Sequence, residues 1–283
     1  MVMQNVVFSA VLFAAAAHAA WNALIKAEPD PLSATTLIAI GSAVFSLAFL
    51  PLAGVPAAAA WSWLAASTVI HLFYFAALIE SYRTGDLGQV YPIARGAAPL
   101  MTATASAVLV GEHLSVTGWT GIAVLAVGVL LLSARGGSAL AGIDRRAVGF
   151  ALATALTICG YSVVDGVGVR ASHNPQAYVL CLFVGNALLL TPYALWRGGR
   201  KTLSAMPRSW LRGLAGGTLS AISYGIALWA MTLAPIAVVA TLRETSVLFG
   251  AGFAVVWLKE PLRKPRIVAA LLILAGLVII RLN

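Results

Sequence analysis

Acidic residues are scarce in this chain: nine Asp and Glu stand against eighteen Lys and Arg in 283 residues. Charged residues of both signs make up only 10% of the sequence, where a soluble domain carries about a quarter. So few charges cannot cover a water-facing surface. This excludes a soluble globular protein and makes lipid the solvent for most side chains. Cysteine is nearly absent too. Cys159 and Cys181 both fall in apolar runs, read as small packing residues, and make no disulfide framework. Catalytic signatures are missing as well: there is no His-Glu-x-x-His for a zinc protease and no Gly-x-Ser-Gly of rhomboid type. No glycine-rich phosphate loop exists for ATP, and Asp165 is the only aspartate inside an apolar run, one short of an aspartyl protease pair. The chain is therefore read as no enzyme, with no catalytic residues, no metal ligands and no cofactors.

What is present is apolar sequence, 61% of the chain. A membrane helix needs about 20 apolar residues, and ten runs approach that length, near 5–25, 32–53, 57–82, 88–110, 115–134, 147–169, 175–196, 209–233, 235–258 and 265–282. The expected fold class is all-α and integral to the membrane, with ten transmembrane helices. Ala17-His18-Ala19 imitates a signal-cleavage site, but no positive charge precedes it within Met1 to Asn5, so the first run is read as a permanent span. The net charge of +9 does not indicate nucleic acid, because the basic residues keep to alternate loops. Fourteen lie after the odd-numbered helices, including Arg145, Arg146, Arg197, Arg200, Lys201, Arg208 and Arg212, while Arg170 and Arg281 alone lie on the other side. By the positive-inside rule both termini face away from the cytoplasm.

The chain also repeats itself. Arg95 and Arg243, Glu112 and Glu260, and Gly128 and Gly276 are each 148 residues apart in runs that align without gaps. Tyr161 and Ser162 echo Trp21 and Asn22 at a separation of 140. The expected organisation is a first five-helix repeat at 1–134, a linker at 135–146 rich in glycine, serine and charge, and a second five-helix repeat at 147–283. Five is odd, so the second repeat enters from the opposite face. Inverted repeats of this kind are typical of secondary transporters.

The stretch Gly111-Glu112-His113-Leu114-Ser115, followed by Gly121 and Gly128, resembles the ten-helix, EamA-type branch of the drug/metabolite transporter superfamily. Its second copy reads Lys259-Glu260-Pro261-Leu262, then Ala269 and Gly276, departing from the pattern at Lys259 and Ala269. The resemblance implies a gradient-driven exporter of amino acids, aromatic ones among them, or of other small metabolites or drugs, in the bacterial inner membrane. A multidrug or cation–proton antiporter on the same fold is the alternative. The implied partners are a small-molecule substrate and membrane lipid, with no nucleic acid, and the fused repeats suit a monomer.

Ionisable groups inside lipid-spanning helices face a cavity or a partner. Here they are His18, His71, Glu80, Arg95, Asp165, Arg243 and Glu244. Arg95 and Arg243, equivalent in the repeat, are read either as guanidiniums for a substrate carboxylate or as halves of structural ion pairs, Arg243 with Asp165 or Glu244. Around them His18, Trp21 and Asn22 share one helix face, as do His71, Tyr74 and Tyr82. Tyr91, Tyr161 and Tyr224 complete the set expected to bind substrate along an apolar, sparsely polar wall. Trp61, Trp63, Trp119, Trp196 and Trp210 are read as interfacial anchors. Glu112 and Glu260 are each assigned to capping the amides of the next helix.

Overall fold

The computed structural model describes residues 5–26, 30–84, 87–133, 145–257 and 264–282, and every regular element among them is helical. In order these are α1 (Asn5–Lys26), α2 (Pro31–Ala53), α3 (Trp61–Thr84), α4 (Leu87–Ala105), α5 (Val116–Ser133), α6 (Arg145–Ala171), α7 (Pro175–Gly198), α8 (Arg200–Met231), α9 (Ile236–Arg243), α10 (Ser246–Trp257) and α11 (Lys264–Arg281). Eight stretches are long and apolar enough to cross a membrane, one of them running through α9 and α10. The apolar stretch Val116–Leu132 of α5 is shorter, and with it and the run between Arg266 and Arg281 in α11 the apolar segments number ten. This is an all-helical membrane protein, as composition requires.

Local chemistry starts and stops these helices. Asp30 caps α2, its carboxylate accepting from the Ser33 amide at 3.2 Å, with Pro31 in the first turn. Asn174 caps α7 in the same way through the Ala177 amide at 3.1 Å, ahead of Pro175. Three elements depart from the continuous runs expected. α4 ends in one π-helical turn, Ser106–Val110. α8 starts earlier than expected and breaks at Ser209 (φ −122°, ψ 16°), so that residues 200–208 precede the membrane-length stretch Ser209–Met231. The run at 235–258 is not one helix. It breaks after Arg243, where the Glu244 amide bonds back to Thr241 and the Thr245 amide to Leu242, a tighter closure than an α-helix makes.

In lipid, helices gain little by hiding apolar surface from one another, so close backbone approach and polar contacts hold them together. The glycines show where that happens. In the antiparallel pair α5–α11, Gly121 abuts the backbone of Gly276 and Ile280, and Gly128 that of Ala269 and Ile273. In the parallel pair α2–α8, Gly41 and Gly217 let the two backbones touch, and the Ser42 hydroxyl donates to the Gly217 carbonyl at 3.0 Å. α2 packs on both α7 and α8, α1 on α8 and α10, and α3 and α4 on α6. Phe13, Leu52, Val108, Leu188 and Leu211 point outward, as lipid-facing residues do.

Candidate functional site

At one end of the bundle the connections are tied to one another. Gly111, in a left-handed conformation (φ 75°), turns the chain out of the π-helical turn and sends Glu112 back across the bundle. Glu112 Oε1 accepts from Arg170 Nη2 at 2.7 Å and from the Ile236 amide at 3.0 Å, capping α9. Arg170 Nε donates to the Met231 carbonyl at 2.8 Å and Nη2 to that of Ala234 at 3.1 Å, closing the end of α8. Beside them the Ala57 amide bonds to the Ser172 carbonyl at 3.1 Å, and Asn174 Nδ2 to that of Ala53 at 2.7 Å. Glu112 therefore caps a helix, but α9 rather than the α5 that follows it in sequence. Glu260 lies outside the described residues.

Inside the bundle, four helices bring aromatic and polar side chains together. His71 sits one turn beyond Ser67 on α3, and its Nδ1 lies 3.1 Å from the Ser67 hydroxyl and 2.9 Å from its carbonyl. The imidazole stacks on Tyr161 of α6 (centroids 4.3 Å apart, planes at 24°). Tyr74 and Tyr224 meet Tyr161 edge-on at 5.6 and 6.1 Å, and Phe183 of α7 meets Tyr224 at 6.3 Å. Asp165, one turn below Tyr161, is fully buried. Its Oδ1 accepts from the Tyr178 hydroxyl at 2.9 Å and its Oδ2 from the Tyr224 hydroxyl at 2.5 Å. Tyr178 gave no signal by motif or spacing, although a buried phenol demands a partner. Replacing Asp165 with leucine strands two buried hydroxyls at about 1–3 kcal/mol each. A clearly lowered Tm in detergent is expected, and an unchanged Tm would refute the clamp.

The two arginines that look equivalent in sequence occupy different settings. Arg95 is buried, with Nε 2.8 Å from Glu244 Oε2 and Nη2 donating to the Ser246 hydroxyl at 2.7 Å. Those partners flank the break between α9 and α10, so Arg95 is occupied in holding it. Arg243 is half-buried. Its guanidinium lies 4.7 Å above the Tyr224 ring, a cation–π arrangement, and its buried Nε has no hydrogen-bond partner among the described residues. On α1, His18 and Trp21 meet edge-on at 4.9 Å, and Asn22 Nδ2 donates to the His18 carbonyl at 2.8 Å. The Trp21 indole nitrogen is likewise buried without an acceptor among the described residues. An unfilled guanidinium donor above an aromatic wall suits an anionic group on a largely apolar solute.

Of the residues singled out from sequence, His71, Tyr74, Tyr161, Asp165, Tyr224 and Arg243 form one contiguous cluster, and Arg95 with Glu244 forms an ion pair on the residue next to Arg243. Glu244 pairs with Arg95, and no ion pair joins Arg243 to Asp165 or Glu244 among the described residues. Tyr82 and Glu80 fall in α3 and Tyr91 in α4, with side chains outside the described residues. Sequence reasoning missed Ser246, Arg170 and Tyr178 as partners. No group of His, Cys, Asp and Glu among the described residues is arranged to hold a metal.

Residues 145–282 match the EamA-like transporter family. No curated protein matches the chain. A crystal structure of another protein superposes with a TM-score of 0.73, covering 98% of this chain and 96% of its own at 19% identity, a likeness of fold.

Proposed function

We propose that this chain, a membrane transporter of the EamA-like family, exports amino acids or similar small metabolites across the bacterial inner membrane. It works by alternating access and draws on a gradient, since no nucleotide-binding loop is present in the sequence. The observation that carries the reading is Arg243, whose guanidinium lies over Tyr224 with Nε unfilled among the described residues, Tyr224 itself adjoining the Tyr161–His71 stack. A substrate carboxylate meets the guanidinium, and the rings accept side chains of varied shape.

The two five-helix halves, 1–134 and 147–283, form the moving parts. The α5–α11 contacts support an approximate twofold relation: Gly121 on Gly276 becomes Ala269 on Gly128 when each residue is exchanged for its equivalent 148 positions away. A monomer suffices, with both termini on the non-cytoplasmic side, which is also the side of the Glu112–Arg170 tie. A cation–proton antiporter would need a carboxylate open to the solute, whereas Asp165 and Glu244 both already have partners within the protein.

The test is counterflow of labelled amino acids in proteoliposomes, with and without a pH gradient. Saturable exchange of amino acids is expected. Exchange of organic cations alone would favour the antiporter, and no exchange of any solute would end the transport reading of this site.

A further inference from the structure

We propose that Glu244 sets the charge this transporter accepts: by occupying Arg95 it leaves one guanidinium for the solute, so the passage takes molecules with a single carboxylate and rejects dianions. The inference rests on the amino-acid reading above and adds a rule for selecting among such solutes.

It begins with an asymmetry between the repeats. Arg95 and Arg243 are equivalent, but the residue after Arg243 is Glu244 and the residue after Arg95 is Gly96. Ser246, likewise, stands where the first repeat has Ala98. The second repeat thus supplies an acid and a hydroxyl that the first lacks, and both are directed at Arg95, at 2.8 and 2.7 Å. No ion pair to Arg243 is found among the described residues, and the matching position in the first repeat, Gly96, offers no carboxylate. Asp165 does not replace one: its two oxygens accept from Tyr178 and Tyr224, and no ion pair joins it to Arg243 among the described residues.

Two guanidiniums, one buried and one half-buried, would be costly in a membrane interior without counter-charge. Glu244 settles one of them. The solute settles the other with a bidentate carboxylate. A second carboxylate on the solute would meet Glu244 in place of Arg95, and like charges brought together repel.

The experiment uses the full-length protein in proteoliposomes, loaded with a transported amino acid and challenged with glutamine or glutamate, which share a shape and differ by one negative charge. Wild-type protein is expected to be inhibited more weakly by glutamate, by about tenfold or more. In Glu244→Gln, with Arg95 released, that gap is expected to close. In the double variant Arg95→Met with Glu244→Gln it is expected to reopen, because only Arg243 remains. Equal inhibition of the wild type by the two competitors would overturn the proposal, even if the single variant failed to fold. An unchanged gap in Glu244→Gln would overturn it as well. Transport of amino acids without discrimination refutes the charge rule alone, whereas no amino-acid transport by the wild type removes the substrate class and the rule together.

Discussion

Arg243→Met is expected to raise the KM for carboxylate solutes by about 10- to 100-fold, the equivalent of one or two charge-assisted hydrogen bonds. The KM for the matching carboxamides should hardly move. That split is the informative part, since a collapse of the aromatic wall would weaken both kinds of solute alike. Equal KM values for variant and wild type on carboxylates would remove Arg243 from the site. The equivalent change at Arg95 should behave differently. Arg95→Met leaves Glu244 as a buried acid without its cation, and breaking such a pair costs about 3–5 kcal/mol. Its signature is a lower Tm and less folded protein in detergent, ahead of any change in affinity. Two arginines at equivalent positions should therefore fail in two different assays.

The second large effect is expected at Gly217. A side chain there would meet the backbone of Ile38, Gly41 and Ser42 on α2, which cannot move aside as a flexible side chain would. Gly217→Leu must push α8 away from α2, losing the Ser42–Gly217 hydrogen bond at 3.0 Å along with the close contact. Over-packing alone costs about 1–3 kcal/mol, and separation of two backbones adds to it. A much reduced yield of folded protein by size-exclusion chromatography is expected. Gly252→Ala is the control, because no described residue lies within 4 Å of a Cβ there, and it should leave yield and Tm unchanged. If both variants behaved alike, α2–α8 contact would not be what holds this side of the bundle.

The fold was legible because the membrane imposes it: ten apolar runs of spanning length leave few other structures open. The close-contact glycines were legible for a similar reason, since Gly121 and Gly128 lie two turns apart on one face, and only small residues allow backbones so close. The break between α9 and α10 was not legible. Ile236 to Phe253 passes as one stretch of spanning length and hydropathy, without a proline or glycine near Glu244, and the break shows only in the 244-to-241 and 245-to-242 closures and in Arg95 reaching across to them. The division of labour between Arg95 and Arg243 was hidden for the same reason. A repeat can reveal that two positions are equivalent, but not which of them a carboxylate from another helix reaches first. Glu112 lay between these extremes. A helix-ending glutamate suggested an amide to cap, and sequence order suggested α5, whereas the chain reversal at Gly111 delivers it to α9.

That delivery limits how the protein can move. The positive end of the short α9 rods is neutralised by an acid that belongs to a different span and is gripped by a cation from a third. Tilting α9 therefore has two routes: drag the tips of α4 and α6 along as one lever, or expose a buried carboxylate and a bare amide to do it alone. The first route is cheap and the second steep, so this corner of the molecule should travel as a single piece.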